Sequence, residues 1–458
     1  MHKNYSNDIL LKSLSELKNN ISKIEIISII SFIASITNSK IYLIGGFIRD
    51  FLLSKQSNDI DIVIIDNTYN FIKKLSNFLK KKMKSYKRFG TFLLTYNSFK
   101  IEFVEARQES YNINSRNPLI KKSNLYEDQK RRDFTINTIA FSLNNDDFGI
   151  IIDPFKGIND IKKNIIRTPI DANKTYSDDP LRMIRAIRIA SQINFKISNN
   201  SLKSIKLNKN RILIVSIERI IDEFNKILLT NKPSIGIKYL IETELFKMIF
   251  FKSKSLINID CVKDILNSKL KNIDFISNKT NDIWFIWAFL LHDIILYDKK
   301  NLLSRKYIYN IISDIFSNLK LPKKNNMKFV YRIIFSYLNI MFILKNNIED
   351  YIIRELILDY GDIIKYTMLL FKTKINQSII FYKKIKILKT KIHHIMKYDS
   401  ISLWKSPITG DEIMKLKSLK ESKIIGNIQN KIKQAIINGD IKYNKDEIIQ
   451  YVVNLNIR

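Results

Sequence analysis

Hydrophobic residues follow two different periods along the chain, and the change of period divides it. In the first 150 residues, short runs typical of strands (Tyr42–Ile44, Asp59–Ile65, Thr91–Tyr96 and Lys100–Ala106) lie between segments with helical spacing. After about residue 160, almost every segment has the 3.6-residue spacing of a helix. The pattern predicts an α+β protein, with a small mixed α/β head followed by an all-helical neck, body and tail.

The predicted elements give provisional boundaries for these parts. Residues 6–37 predict two helices, whereas residues 107–130 are polar and aperiodic and predict a long loop. We divide the chain into a head (1–150), a neck (151–230), a body (231–390) and a tail (391–458). The clearest predicted helices are Phe47–Leu53, Asn70–Lys81, Arg132–Phe141, Asp178–Ile193, Ile214–Leu229, Ile235–Phe246, Thr280–Leu296, Tyr307–Leu319 and Lys328–Leu344.

Composition excludes several classes of protein. The single cysteine, Cys261, cannot form an intramolecular disulfide and fits a reducing compartment. The four histidines are too few and too scattered for a Cys/His zinc site. The longest clean apolar run, Ile283–Leu291, has about half of the roughly 20 residues that a membrane span needs, and the N-terminus lacks the apolar core of a signal peptide. We therefore expect a cytoplasmic protein without a membrane segment.

The charge balance favours a polyanionic partner. With 77 Lys and Arg against 44 Asp and Glu, the formal charge is +33, which favours nucleic acid ahead of membrane. The alternative is lysine accumulated on solvated faces of a chain rich in Ile, Lys and Asn. Ten of the sixteen arginines lie between Arg49 and Arg188. Because arginine is a planar, forked donor, this clustering indicates recognition of phosphate or base there.

Two adjacent glycines precede a pair of carboxylates. In a chain with only 10 glycines, Gly45 and Gly46 indicate a tight backbone path at which main-chain N–H groups can approach a phosphate. Arg49 can reach the same phosphate. Asp59 and Asp61 are at positions i and i+2 of a predicted strand, so they face the same side and suit Mg²⁺ bound jointly with substrate phosphates. Such a pair alone is usually a solvated strand end, but the preceding glycine segment favours the metal site.

These segments and several later ones resemble, in order, the motifs of the class II tRNA nucleotidyltransferase and poly(A) polymerase family. Asp178 stands where glutamate is commoner in that family, and Ile283–Ile294 resembles the HD-type helical segment of some bacterial members. Residues 407–414 resemble their tail. The matching motifs are Gly45–Asp50 with Asp59–Asp61, Arg131–Asn137, Asp153–Pro154 with Gly157 and Asp160, Asp178–Arg185, and Arg219–Ile220 with Glu223–Phe224.

The resemblance implies nucleotidyl transfer with Mg²⁺ held by Asp59 and Asp61. Glu102, on a neighbouring predicted strand, is either a third carboxylate ligand or an exposed strand residue. Arg132 is assigned to phosphate. Asp133 and Asn137, at i and i+4 of a predicted helix, are assigned to the ribose; the alternative is a basic helix start with a capping aspartate.

The last well-matched motif implies a way of selecting the base. Asp179 and Arg182, at i and i+3 of a predicted helix, offer an acceptor beside a set of donors. Cytosine and adenine present an amino donor beside a ring-nitrogen acceptor, and uracil and guanine present the reverse, so the pair would accept C and A. The alternative is an intrahelical ion pair. Arg185 and Arg188 continue the same stripe and either reach the nucleotide or order the helix.

We therefore expect a template-independent enzyme that builds or repairs the 3′-terminal CCA of tRNA from CTP and ATP. The body would grip the acceptor arm through lysines such as those in 320–328 and 383–397, while the head holds the 3′ end. The alternatives are a poly(A) polymerase, a CC-adding or A-adding enzyme of the same fold, and a non-catalytic RNA-binding relative. The HD-like segment lacks accompanying histidines between His2 and His292, so we interpret it as a scaffold without phosphohydrolase activity.

Overall fold

The chain divides into two units, Met1–Lys263 and Asp264–Arg458. The computed structural model describes residues 16–86, 90–111, 118–250, 259–296, 305–346, 348–373, 379–399, 405–420 and 423–455. Within these residues all strands belong to the first unit, and the second unit is helical. The predicted α+β class is confirmed.

A seven-stranded mixed sheet carries the first unit. The strands are, in chain order, Lys40–Ile44 (β1), Asp59–Ile65 (β2), Lys84–Tyr86 (β3), Thr91–Tyr96 (β4), Phe99–Glu105 (β5), Arg107–Ser110 (β6), Leu119–Lys122 (β7), Ala140–Ser142 (β8), Ile151–Ile152 (β9), Ile165–Ile166 (β10) and Lys196–Ile197 (β11). The sheet order is β3-β4-β5-β2-β1-β8-β9, and only β2 and β5 are parallel neighbours in it. Strands β6 and β7 form a separate antiparallel pair, and β10 and β11 a parallel pair.

The alternation of β2 decides which way its acidic residues point. Ile60, Ile62 and Ile64 are fully buried. Since successive side chains of a strand point to opposite faces, Asp59 and Asp61 project from the other face. The hydrophobic packing of the strand therefore fixes the direction of both carboxylates.

Helices complete the first unit. Helix α2 packs against α4, and α8 packs against α10 and α11, which gives the arginine-bearing α8 a buried support. The helices are Glu16–Ser22 (α1), Glu25–Thr37 (α2), Gly46–Leu52 (α3), Thr68–Leu79 (α4), Leu125–Lys130 (α5), Gly157–Lys163 (α6), Ala172–Asp178 (α7), Leu181–Ile193 (α8), Asn199–Asn208 (α9), Ile217–Leu228 (α10), Pro233–Glu242 (α11) and Leu245–Phe250 (α12).

Five of the remaining helices (α14, α15, α17, α18 and α19) pack against a long apolar helix, α16. The remaining helices are Ile259–Ser277 (α13), Ile283–Leu296 (α14), Arg305–Asn318 (α15), Lys324–Lys345 (α16), Asp350–Tyr360 (α17), Ile364–Lys372 (α18), Ile379–Tyr398 (α19), Gly410–Lys417 (α20), Lys423–Asn438 (α21) and Lys445–Asn454 (α22). By length and composition, α16 could cross a membrane, as could α1 and α2 if that bent pair formed one span. However, 56% of the apolar window of α16 is buried, and α16 packs against α14, α15 and α18. This packing is typical of a core helix.

Two of the predicted helices, Arg132–Phe141 and Asp178–Ile193, are wrong as predicted. Residues 132–141 do not form a helix, because Ala140–Ser142 pairs with β1 as β8 and only Thr135–Asn137 forms a short 3-10 turn. The predicted helix Asp178–Ile193 is interrupted at Asp179, whose backbone is extended (φ −130°, ψ 97°). The residue before a proline is disfavoured in the helical region, and Pro180 therefore separates α7 from α8.

Other local predictions also need correction. Residues 107–130 are not simply a loop, since they contain β6, β7 and α5; residues 112–117 lie outside the described residues. The predicted helix Ile235–Phe246 is divided between α11 and α12, and the neck contains short strands as well as helices. The two helices predicted in 6–37 are present as α1 and α2 from Glu16 onward, and the earlier part lies outside the described residues.

Candidate active site

Acidic side chains from two parallel strands meet on one face of the sheet. Asp61 of β2 is in register with Glu102 of β5, so both side chains project from the same face. Burial raises the pKa of Asp61, and the charge of Asp59 raises it further, against the opposing effect of Arg132. Burial also raises the pKa of Glu102, with a contribution from Asp61. Glu102 is therefore a half-buried member of the acidic group rather than an exposed strand residue.

This donor set fits a hard divalent cation. A cation beside Asp61 would offset the burial and mutual repulsion that raise the pKa values of the carboxylates. Among the described residues, no three Asp, Glu, His or Cys side chains already form a complete ligand set. Such an arrangement suits Mg²⁺, which usually takes one or two carboxylates and completes its shell with water and substrate phosphates.

Gly45 brings the backbone directly against Asp61. Its φ of +89° lies in a region that residues with a side chain rarely adopt. A Cβ atom at this position would lie 2.7 Å from Asp61 Oδ2 and 3.4 Å from Arg132 Nη1. The tight path inferred from the scarcity of glycine is thus present, and it leaves no room for a side chain.

Two adjoining cavities contain all thirteen residues singled out from the sequence. The larger cavity, about 450 Å³, is lined by three of them that do not line the smaller one (Glu102, Asp179 and Arg182), and the smaller cavity, about 290 Å³, is lined by six that do not line the larger one. Both cavities share Asp61, Arg132, Asp133 and Arg185. The six of the thirteen that line only the smaller cavity are Gly45, Gly46, Arg49, Asp59, Asn137 and Arg188. The acidic group lies at the junction.

A chain of hydrogen bonds runs through the smaller cavity. Arg49 Nη1 donates to Asn137 Oδ1 at 2.8 Å, and Asn137 Nδ2 donates to Asp133 Oδ1 at 3.0 Å. Asp133 Oδ2 accepts from Arg185 Nε at 2.9 Å and Nη2 at 2.6 Å. Burial alone would raise the pKa of Asp133, but Arg185 and Asn137 outweigh it and hold that pKa far below its usual value. Asp133 and Asn137 therefore meet as predicted, although no helix joins them.

The arginines of α8 are held by carboxylates. Arg185 binds Asp133, and Arg188 Nε donates to Glu223 Oε2 at 2.5 Å while its Nη1 donates to Gln192 Oε1 at 3.0 Å. These contacts favour an ordering role for both arginines. A direct contact with nucleotide stays a prediction, supported by their position on the cavity walls.

The predicted base-reading pair lies on the wall of the larger cavity. Arg182 Nη2 donates to the carbonyl of Arg131 at 2.8 Å, and Asp179 Oδ1 accepts the N–H of Leu181 at 3.2 Å. Asp179 precedes α8 instead of lying on it, so the predicted helical i, i+3 geometry is wrong. Each side chain has its own protein partner, and an intrahelical ion pair does not describe them.

Sequence reasoning missed several residues of the larger cavity. Glu109, only 5% exposed, binds Arg107 and Arg131 and accepts from the hydroxyl of Tyr111 at 2.6 Å. The alternation of charged and aromatic residues at 107, 109 and 111 was a usable signal, because i and i+2 positions of a strand share a face. Asp128, which lines neither cavity, was also missed; it lies three and four positions before the arginines Arg131 and Arg132 that it binds.

The HD-like segment of α14 forms a buried cluster with Lys269 of α13. His292 is fully buried, its Nδ1 lies 3.1 Å from Lys269 Nζ, and its Nε2 lies 3.1 Å from Asp293 Oδ1. Lys269 Nζ also lies 3.3 Å from Asp293 Oδ2. An ammonium group thus occupies the neighbourhood where a metal would have to bind, which agrees with a scaffold role. His393 and His394 are exposed on α19.

Two family models match segments of the first unit. Residues 41–167 match the poly A polymerase head domain, and residues 194–254 match the probable RNA and SrmB-binding site of polymerase A. The chain is 30% identical to the CCA-adding enzyme of Ligilactobacillus salivarius over 416 residues, covering 89% of this chain and 91% of the relative. It is 38% identical to the A-adding tRNA nucleotidyltransferase of Aquifex aeolicus over 167 residues, covering 36% of this chain and only 20% of that protein.

The fold has a close counterpart among solved structures. The Thermotoga maritima CCA-adding enzyme complexed with tRNA(CCA) superimposes with a TM-score of 0.67 at 22% identity, covering 97% of this chain and 98% of that one. At this identity the likeness establishes the fold.

Proposed function

Because the chain belongs to the class II tRNA nucleotidyltransferase and poly(A) polymerase family, we propose that it builds or repairs the 3′-terminal CCA of tRNA from CTP and ATP. The observation that carries the proposal is the acidic group at the junction of two arginine-lined cavities. A nucleotide that spans both cavities would have its base in the larger one, its phosphates in the smaller one, and its α-phosphate beside Asp59 and Asp61.

The metal in this proposal is Mg²⁺. Nucleotidyltransferases of this family are metal-dependent, and hard carboxylate oxygens with phosphates suit Mg²⁺. Asp59 and Asp61 would hold it, with Glu102 as the candidate third carboxylate. When bound, it would neutralise charge on the phosphates and favour ionisation of the attacking 3′-hydroxyl.

The protein's own part in the reaction is mainly positioning and charge neutralisation. Gly45 lets the backbone pass close to the phosphates because it carries no side chain. Arg49 and Arg188 line the same cavity and would face the triphosphate, while Arg132 and Asp61 line both cavities. Asp133 and Asn137 would meet the ribose, and their mutual hydrogen bond fixes their spacing.

Base selection would need no nucleic-acid template. Asp179 supplies an acceptor and Arg182 supplies donors on one cavity wall. This arrangement complements the amino donor and ring-nitrogen acceptor shared by cytosine and adenine. For uracil or guanine, the same edge would set donor against donor and acceptor against acceptor, which selects against them.

The proposed division of labour follows the four-part organisation. The head (1–150) would carry transfer, the neck (151–230) base selection, and the body (231–390) and tail (391–458) the grip on the acceptor arm of tRNA. Because the proposed substrate is tRNA, we expect a cytoplasmic location. Exposed lysines of α19 are candidates for phosphate contacts, because electrostatic contacts to the backbone supply much of the affinity for RNA.

A nucleotide panel tests the proposal and its nearest rivals. The protein is incubated with tRNA lacking CCA, or with tRNA ending in CC, and with each of the four NTPs singly. We expect CMP addition to the first substrate, AMP addition to the second, and neither UMP nor GMP addition. Addition of CMP alone or AMP alone would favour a CC-adding or A-adding enzyme, and long AMP tails would favour a poly(A) polymerase. RNA binding without any transfer would favour the non-catalytic relative.

A further inference from the structure

A single buried carboxylate holds two neighbouring arginines of the site. Asp128 of α5 is completely buried. Its Oδ1 accepts from Arg131 Nε at 2.9 Å and Nη2 at 2.5 Å, and its Oδ2 accepts from Arg132 Nε at 3.2 Å and Nη2 at 3.1 Å. The N–H of Arg107 also points to Oδ1, at 3.4 Å. Each oxygen is thus committed to one guanidinium.

The first of these arginines connects Asp128 to the base end of the site. With Nε and Nη2 bound to Asp128, Arg131 uses Nη1 for Glu109 Oε1 at 3.1 Å. Its carbonyl oxygen accepts from Arg182 Nη2 at 2.8 Å. Because Asp128 holds Arg131 in place, it also fixes the carbonyl of Arg131 that binds Nη2 of Arg182.

The second arginine connects Asp128 to the acidic end. Since Arg132 also binds Asp128 through Nε and Nη2, its third nitrogen, Nη1, is directed toward Gly45 and Asp61. Arg132 is the strongest positive influence on Asp61. A shift of its guanidinium would therefore change both the charge beside Asp61 and the wall shared by the two cavities.

The electrostatics show that the carboxylate is ionised in this position. Burial alone would raise the pKa of Asp128, but Arg132 and Arg131 outweigh it and hold that pKa below its usual value. A buried charge with two partners is costly to disturb, because removing it leaves Arg132 without its paired carboxylate and Arg131 with Glu109 alone.

We propose that Asp128 is a positioning residue that couples the two ends of the site, setting Arg132 beside Asp61 and Arg182 at the base edge through one carboxylate. The inference rests on the proposed function and deepens it. It implies that loss of this one buried charge, at a residue that lines neither cavity, weakens catalysis and base selection together.

The test compares Asp128→Asn with a matched buried carboxylate. Asp160 is 3% exposed, and its Oδ2 accepts from Thr135 Oγ1 and Arg167 Nε, but it lines neither cavity. For each full-length variant, kcat and KM for CTP and for UTP are measured with tRNA lacking CCA, alongside the melting temperature. We expect Asp128→Asn to lose about tenfold to a hundredfold in kcat/KM for CTP and about tenfold in selectivity for CTP over UTP. Asp160→Asn should lower the melting temperature with that selectivity unchanged.

The outcomes separate the inference from the proposed function. A normal CTP-to-UTP ratio in Asp128→Asn, with only a lower melting temperature, would overturn the positioning role. If Asp128→Asn does not fold, Asp128→Glu decides, since it keeps the charge and displaces it by one methylene: a reduced ratio supports the role, and an unchanged ratio overturns it. Failure of the parent protein to transfer CMP or AMP would instead count against the proposed function, and calorimetric titration with CTP and UTP would then give the same comparison as a ratio of affinities.

Discussion

Replacement of Gly45 by alanine offers a sharp structural test of the site. The backbone at Gly45 (φ +89°, ψ −144°) is close to a region that is essentially restricted to glycine, so a side chain there costs about 1–3 kcal/mol. The new Cβ would lie 2.7 Å from Asp61 Oδ2, whereas ordinary contact begins near 3.4 Å, so the carboxylate must retreat by several tenths of an ångström. Displacements approaching 1 Å in a catalytic group cost about 10²-fold in rate. We expect kcat for CMP addition to fall by about that factor.

Gly149 provides the matched control for this prediction. Its φ of +91° is nearly the same, but a Cβ there would meet only the flexible side chain of Lys18. Gly149→Ala should therefore lower the free energy of unfolding by a similar amount, measured by urea denaturation, without the loss of kcat. If Gly45→Ala retains turnover within threefold of the parent while both variants are destabilised alike, the close approach of Gly45 to Asp61 has no catalytic importance and the reasoning is wrong.

Four further predictions follow from the same geometry. Asp59→Ala and Asp61→Ala should each abolish nucleotide incorporation with little change in tRNA affinity, measured by filter binding; near-normal incorporation in either would remove the metal site. Because the pKa values of Asp61 and Glu102 are raised, turnover should fall on acidification above the usual carboxylate range, and added Mg²⁺ should move that midpoint to lower pH by competing with protons; a midpoint indifferent to Mg²⁺ would contradict this. We expect the parent protein to show no metal-dependent phosphatase activity, so His292→Ala should leave that assay unchanged; turnover that His292→Ala removes would contradict the scaffold interpretation. Replacing the exposed lysines of α19 by glutamine should flatten the salt dependence of tRNA binding and raise the KM for tRNA but not the KM for CTP; these are Lys383, Lys386, Lys389 and Lys397. Replacing Lys384 and Lys391, which bind main-chain carbonyls, is the control and should change only stability.

Short-range patterns predicted the parts of the fold that depend on one strand or one turn. The alternation in Asp59–Ile65 gave both the bounds of β2 and the direction of its carboxylates, because burial of three isoleucines leaves one orientation. The scarcity of glycine likewise indicated the close approach at Gly45. In both cases the physical cause is contained within a few consecutive residues.

The sequence was a poorer guide where distant segments decide local structure. Residues 134–141 have apolar residues at helical spacing, but pairing of Ala140–Ser142 with β1 makes the end of this segment a strand. At Asp179, a usable signal was present in Pro180, but the long periodic pattern on both sides concealed it. Glu109 was missed because its partner Arg131 is brought to it by tertiary folding. The partners of Asp128 lie only three and four positions later, so that pairing was a local signal that the sequence reasoning did not use.

The measurement that tests the central proposal most directly is the sequence of the product ends. The purified protein is given tRNA lacking CCA, all four NTPs together and Mg²⁺, and the 3′ ends are sequenced over a time course. The proposed function predicts the successive appearance of C, CC and CCA, with CCA as the predominant final product, and selection by Asp179 and Arg182 predicts that U and G are not added. Ends that contain U or G, tails of repeated A, or a lack of extension would contradict the account.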